Sequence, residues 1–92
     1  MDNPSTISFV ARSKRRKEIL SKLKERSMGQ SEIMKVTGMY KAHTSRTLKE
    51  LSEKKLIICR NPQDRVFRFY KITPSGRKVL EAVERLFSLI KG

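Results

Sequence analysis

The stretch Thr37-Gly38-Met39-Tyr40-Lys41-Ala42-His43-Thr44-Ser45-Arg46-Thr47-Leu48 decides the fold. Gly38 stops the helix before it, because a helix end commonly needs one residue in the left-handed conformation. Upstream, Ser31 to Thr37 reads as a short helix whose apolar residues are Ile33, Met34 and Val36. Downstream, after a turn at Met39 and Tyr40, a longer helix is expected from about Lys41 to Lys54, with Ala42, Thr44, Leu48 and Leu51 facing inward. Lys54 and Lys55 favour its C-terminal end electrostatically. Thr44 and Leu48 follow Gly38 by six and ten residues, a spacing that lets the longer helix cross the shorter one and present its N-terminal half outward.

Working outward toward the N-terminus, Ser13 can cap a helix to about Arg26 with Ile19, Leu20 and Leu23 at helical spacing. Residues 1–12, whose large apolar side chains after Met1 are Ile7, Phe9 and Val10, should dock as a short helix or an extended arm. Toward the C-terminus, β-prone Leu56 to Cys59, turn-rich Asn61-Pro62-Gln63-Asp64 and β-branched or aromatic Val66 to Ile72 read as a β-hairpin over residues 56–72. Its second strand carries Val66, Tyr70 and Ile72 on one face and Phe67 and Phe69 on the other, so both faces should be covered near the base. Thr73-Pro74 supplies a cap and a first-turn proline for a last helix over residues 74–91, with Val79, Leu80, Val83, Leu86, Phe87 and Ile90 as its apolar set. The order describes an α+β, mainly α, winged helix-turn-helix domain over residues 1–92. Its parts are three helices over residues 13–55, a helix-turn-helix over 31–54, a wing and a C-terminal helix.

Composition narrows the function. A chain of 92 residues is one domain with one small core and little room for a buried catalytic cleft. Its 22 Lys+Arg against 9 Asp+Glu leave a net charge of +13, enough to bind a polyanion at ordinary salt, either nucleic acid or an anionic membrane surface. The longest apolar run, Leu56 to Cys59, is far short of a membrane span, and no signal-peptide core opens the chain, so a cytoplasmic protein is expected. The basic helix from Ser13 has too narrow an apolar stripe to lie in lipid. Cys59 has no second cysteine to pair with, and one histidine, His43, supplies neither a metal site nor a catalytic base with an orienting partner. No glycine-rich phosphate loop occurs. Neither enzyme chemistry nor a cofactor is expected.

The segment from Thr37 to Leu48 closely resembles the helix-turn-recognition-helix of ArsR- and MarR-type prokaryotic regulators, and Tyr70-Lys71-Ile72-Thr73-Pro74-Ser75-Gly76-Arg77 resembles the strand-to-helix junction after the wing in the same group. The resemblance covers roughly Arg12 to Leu89, and the basic Ser13-Lys14-Arg15-Arg16 start is similar to small archaeal-type members. It implies a homodimer that binds double-stranded DNA. Two departures stand out: Tyr40 sits where the group usually has a Ser or Thr cap, and the metal ligands of metal-sensing ArsR proteins are missing.

The faces that the longer helix leaves free carry Lys41, Ala42, His43, Ser45, Arg46, Thr47 and Lys49. A helix fits the major groove, where Arg can bind guanine bidentately and Ser, Thr and His can reach base edges or phosphates, so Lys41, Ala42, His43, Ser45, Arg46 and Lys49 are the expected recognition-helix contacts. In the wing, Arg65 is expected in the minor groove, with Arg60 and Arg68 on phosphates; alternatively these arginines only keep a small sheet soluble. On the last helix Leu80, Val83, Phe87 and Ile90 follow a coiled-coil-like spacing and are expected to form a two-fold dimer seam, with Val79 and Leu86 facing the core. The alternative is one broad core stripe in a monomer. Such a dimer would set two recognition helices about 34 Å apart.

The leading expectation is a sequence-specific, homodimeric transcription repressor of the cytoplasm, associated with the nucleoid. A winged-helix adaptor docking on protein, and an architectural or RNA-binding protein with little sequence preference, remain alternatives. The densest basic cluster, Arg12 to Lys17, fits flanking phosphates, an acidic partner or plain solvation equally.

Overall fold

Local hydrogen bonds set most of the helix ends. A computed structural model describes residues 4–64 and 66–91, the last by its backbone only. Helix α1 spans Pro4–Ala11 and α2 spans Lys14–Glu25, with the Ser13 hydroxyl accepting from the Arg16 N–H at 3.3 Å as the expected cap. A two-residue strand β1, Met28–Gly29, leads into α3, Gln30–Thr37. Gly38 ends α3 at φ 72°, its N–H donating to the Met34 carbonyl at 2.8 Å. Helix α4 spans Lys41–Glu53, strands β2 and β3 span Ile57–Cys59 and Phe69–Ile72, and α5 spans Pro74–Lys91.

The turn out of α4 aims the wing. Lys55 N–H donates to the Ser52 carbonyl at 2.9 Å and Leu56 N–H to the Leu51 carbonyl at 3.0 Å, the paired bonds of a Schellman motif. Lys55 takes the left-handed position at φ 61°, where glycine would be unstrained. Thr73 then ties the far end of the wing to this turn: its N–H donates to the Leu56 carbonyl at 3.0 Å and its hydroxyl to the Lys55 carbonyl at 2.8 Å. The same hydroxyl accepts from Gly76 N–H at 3.0 Å, which caps α5. A Cβ on Gly76 would overlap the Leu56 carbonyl oxygen, so the first turn of α5 approaches the α4–β2 turn as only glycine permits.

The core is one cluster to which every helix contributes: Val10, Ile19, Leu20, Leu23, Ile33, Leu48, Leu51, Val79, Leu80 and Val83, with Met28, Leu56, Ile57 and Ile72 from the sheet region. None of these is more than 2% exposed. The residues expected to be an arm or short helix form α1, which packs on α2 and α5.

The structure corrects several expectations. Strand β1, in a stretch to which the sequence assigned no element, completes a three-stranded antiparallel sheet in the order β1-β3-β2, with Met28 opposite Tyr70 and Ile57 opposite Ile72. The second wing strand starts at Phe69 rather than Val66, because the Asn61 and Asp64 side chains take the N–H groups of Val66, Phe67 and Phe69. Val66 and Phe67 are left exposed instead of covering a face. Leu80 and Val83, expected in a dimer seam, are fully buried under α1 and α2, so they serve this chain's own core. Leu86, expected to face that core, is 48% exposed, whereas Phe87, one residue on, packs against the core.

Candidate nucleic-acid interface

Helix α4 is held by its inner face and free on its outer one. Leu48 and Leu51 are buried, and the buried Thr44 and Thr47 hydroxyls donate to the carbonyls of Tyr40 and His43 at 2.9 and 2.8 Å. A threonine bonded to its own helix can sit in the core without an unpaired hydroxyl, and none of the buried side-chain polar atoms among the described residues lacks a partner. Thr47, read from sequence as an outward residue, therefore belongs to the inner face. Ala42, placed on both faces by the sequence, is exposed.

The outer face brings together Lys41, Ala42, Ser45, Arg46 and Lys49, all exposed, with His43 half-buried at its edge. Tyr40 precedes the helix without a side-chain capping bond, and its ring centroid lies 6.4 Å from that of His43. Gln30, at the start of α3, donates from its amide to the Ser45 hydroxyl at 2.7 Å. That bond fixes one of the expected contact residues from outside its own helix. Nothing in the sequence pointed to Gln30.

Behind this face, Arg16 joins three helices. Its Nε lies 3.2 Å from a Glu50 carboxylate oxygen, its Nη1 donates to the Phe9 carbonyl at 2.7 Å, and its guanidinium carbon sits 3.7 Å from the centre of the Phe9 ring. The Glu50 carboxyl is held below its ordinary range chiefly by the Arg16 hydrogen bond, against a smaller opposing effect of desolvation, with the charges of Arg16 and Arg46 adding. Arg16 thereby pairs with the carboxylate that lies one helical turn beyond Arg46. One member of the uninterpreted basic cluster is thus a packing residue, while Arg12, Lys14 and Arg15 remain exposed.

The wing stands beside α4. A cavity of about 410 Å³ separates them, lined by Ser45, Lys49 and Ser52 on the helix and by Cys59, Arg68 and Tyr70 on the wing. Arg60 and Arg68 are both exposed; Arg65 lies outside the described residues. The tip is braced by side chains rather than by a strand ladder. Asp64 accepts from the N–H groups of Val66 and Phe67, each at 2.8 Å, and Arg68 Nε donates to the Asp64 carbonyl at 2.9 Å. Those two N–H bonds hold the Asp64 carboxyl below its ordinary range. Asn61 accepts from Phe69 N–H at 2.7 Å and donates to the Phe67 carbonyl. Sequence reading recognised Asn61 to Asp64 only as a turn; that two of these side chains hold the tip depends on where the backbone closes.

The expected dimer residues separate. Leu80 and Val83 are core, while Phe87 is half-buried with the Lys17 ammonium 3.8 Å from its ring centre. Ile90 is 73% exposed and lies beside Leu89, 79% exposed, and Leu86 on the last turns of α5. Among the described residues no group of three or more His, Cys, Asp or Glu side chains could hold a metal, and no helix is long and apolar enough to cross a membrane.

Comparison with solved structures identifies the fold. A variant of S. aureus MepR bound to an oligodeoxyribonucleotide is 25% identical over 86% of this chain, with a TM-score of 0.74. Bordetella bronchiseptica BpsR, described by the regulation of its DNA binding by 6-hydroxynicotinic acid, is 21% identical over 86% of the chain, with a TM-score of 0.76. The transcriptional regulator BldR from Sulfolobus solfataricus is 24% identical over 85% of the chain, again with a TM-score of 0.74. All three are winged-helix proteins of the MarR type, and the present chain spans only 58 to 61% of their length. No curated protein matches it in sequence. The model of the HVO_A0261 N-terminal domain matches residues 4–91. With its helix-turn-helix, three-stranded sheet and wing, the chain belongs to the HVO_A0261 N-terminal domain family and has the winged helix-turn-helix fold of MarR-type proteins.

Proposed function

We propose that this chain is a sequence-specific, double-stranded-DNA-binding transcription regulator that acts as a homodimeric repressor in the cytoplasm, associated with the nucleoid. The observation that carries the reading is the outer face of α4. Lys41, Ser45, Arg46 and Lys49 stand exposed on a helix whose opposite side is locked into the core, with a basic wing alongside. Such a helix enters a major groove of about 12 Å, where Arg46 would read guanine and Ser45, oriented by Gln30, a neighbouring base edge or phosphate. Ala42 allows close approach to a thymine methyl, and Lys41, His43, Lys49, Arg60 and Arg68 supply phosphate contacts. Two neighbours bound to DNA, the MepR variant with an oligodeoxyribonucleotide and an E. coli MarR variant with operator DNA, support the same reading.

The dimer contact is the exposed apolar end of α5, formed by Leu86, Leu89 and Ile90 with Phe87 at its edge. It replaces the seam expected from sequence spacing and keeps only Phe87 and Ile90 of it.

Selection of duplexes from a random pool at two salt concentrations tests the proposal. An inverted repeat with half-sites one helical turn apart, bound with an affinity that falls steeply with salt, is the expected result. Recovery of no preferred sequence would overturn sequence specificity. A single half-site bound by a monomer in sedimentation would overturn the dimer.

A further inference from the structure

The wing tip presents apolar side chains where a purely electrostatic wing would present charge. Val66 is 77% exposed and Phe67 is 69% exposed, and they are consecutive on the limb of the hairpin loop that leads into β3. Their N–H groups are both bound by the Asp64 carboxylate, and the Phe67 carbonyl is bound by Asn61. These bonds satisfy the backbone of Phe67 and the N–H of Val66 from within, and the two side chains, largely exposed, form one wall of a groove whose other side is Gly29 to Glu32. Arg60, Arg68 and Lys71 are exposed on the same hairpin.

We propose that Val66 and Phe67 form an apolar wedge that enters the DNA minor groove, partly unstacks a base step and bends the duplex. This rests on the DNA-binding reading above. Three considerations select this occupant. The wing runs alongside the outer face of α4, so a duplex that takes α4 in its major groove brings the wing across the adjoining phosphate ridge to the next minor groove. Anionic phosphate oxygens lose hydration against a phenyl group without compensation, whereas sugar edges and base faces offer it an apolar surface. Residues 60–71 carry a net +3, Asp64 being outweighed by Arg60, Arg65, Arg68 and Lys71, and this surplus has the same sign as that of residues 41–55, which favours one continuous polyanion over an ordinary protein surface.

The test uses the full chain and a duplex recovered by selection, labelled at both ends for energy transfer and carrying 2-aminopurine at successive minor-groove steps. The wild-type protein is expected to bend the duplex by an angle in the range of about 20–90° and to brighten 2-aminopurine at one step beside the α4 site. Phe67→Ala should remove most of the bend and the brightening while weakening binding by about ten-fold or less and leaving the salt dependence unchanged. Phe67→Leu, which keeps an apolar wedge, should restore the bend. Circular dichroism checks that both variants are folded, as expected for an exposed side chain. A wild-type complex that binds but stays straight, or a Phe67→Ala complex as bent as wild type, overturns the wedge and leaves the regulator reading intact, with the tip then free to dock on protein. Absence of duplex binding by the wild-type chain overturns both.

Discussion

Helix α4, with the turn that follows it, and the wing carry the same formal charge, +3 over residues 41–55 and +3 over residues 60–71, yet the fold supports them differently. The helix is anchored by a buried row, Thr44, Thr47, Leu48 and Leu51, so its outer face moves only if the core moves. The wing has short strands, and beyond Cys59 its shape depends on the Asn61 and Asp64 side chains. Their outer surfaces differ too, polar and basic on the helix, with two large apolar side chains, Val66 and Phe67, exposed among charged ones on the wing. Equal charge therefore marks two unlike devices. A rigid face can read base edges, which demands fixed hydrogen-bond geometry, whereas a braced loop can follow the shape of a groove.

The contrast breaks most visibly at the helix anchor. Leu51→Ala should lower the free energy of unfolding by about 2–5 kcal/mol in a urea titration, since Leu51 is fully buried. A change below about 1 kcal/mol would mean that α4 is not held by its inner face. On the outer face, Arg46→Ala should leave stability nearly unchanged but cost about 1–3 kcal/mol of affinity for a selected duplex and relax base preference at one position. Fluorescence anisotropy against the selected site and its single-base variants separates that outcome from a simple phosphate contact, which would weaken all sequences alike.

The wing should respond locally. Asn61→Ala removes two bonds that span the hairpin and should cost about 0.5–1.5 kcal/mol, read as faster amide exchange at Phe69 with exchange in α4 unaltered. Asp64 gives the pH counterpart. Its folded carboxyl titrates below the ordinary value of about 3.9, so its contribution is present above that pH and is lost as pH falls through the folded value. Amide chemical shifts of Val66 and Phe67 should therefore move together in acid, and Asp64→Asn should abolish the shared titration.

The smallest effect lies at the turn joining the two regions. Lys55 holds φ 61° with a Cβ, and Lys55→Gly should raise thermal stability by up to about 1 kcal/mol without altering duplex affinity. A loss of affinity instead would make Lys55 a binding residue as well as a turn residue.

Much of the fold was legible because the signals were local. The Ser13 and Thr73 caps, the left-handed Gly38 and the order of the helices all depend on neighbours within one helical turn. The outer face of α4 was legible in part for the same reason. Thr47 was misplaced because threonine is polar in composition yet self-satisfied in a helix, and Ala42 was assigned to both faces because alanine suits either. The wing was legible as a hairpin but not as a braced apolar tip, because Asn61 and Asp64 could equally have turned their side chains to solvent.

The apolar periodicity of α5 determined that a long amphipathic helix follows the wing, but not which of its side chains belong to this chain's own core. That depended on α1 and α2 packing against α5, which buries Leu80 and Val83 and leaves Leu86, Leu89 and Ile90 exposed. In the same way, the sequence alone determined a surplus of positive charge, and the tertiary structure decided that Arg16 would be spent between Phe9 and Glu50 while Arg46 faced outward. The physical reason is range. Caps, turns and helical periodicity are set by residues a few positions apart, whereas burial and pairing are set by segments that meet only when the chain has folded.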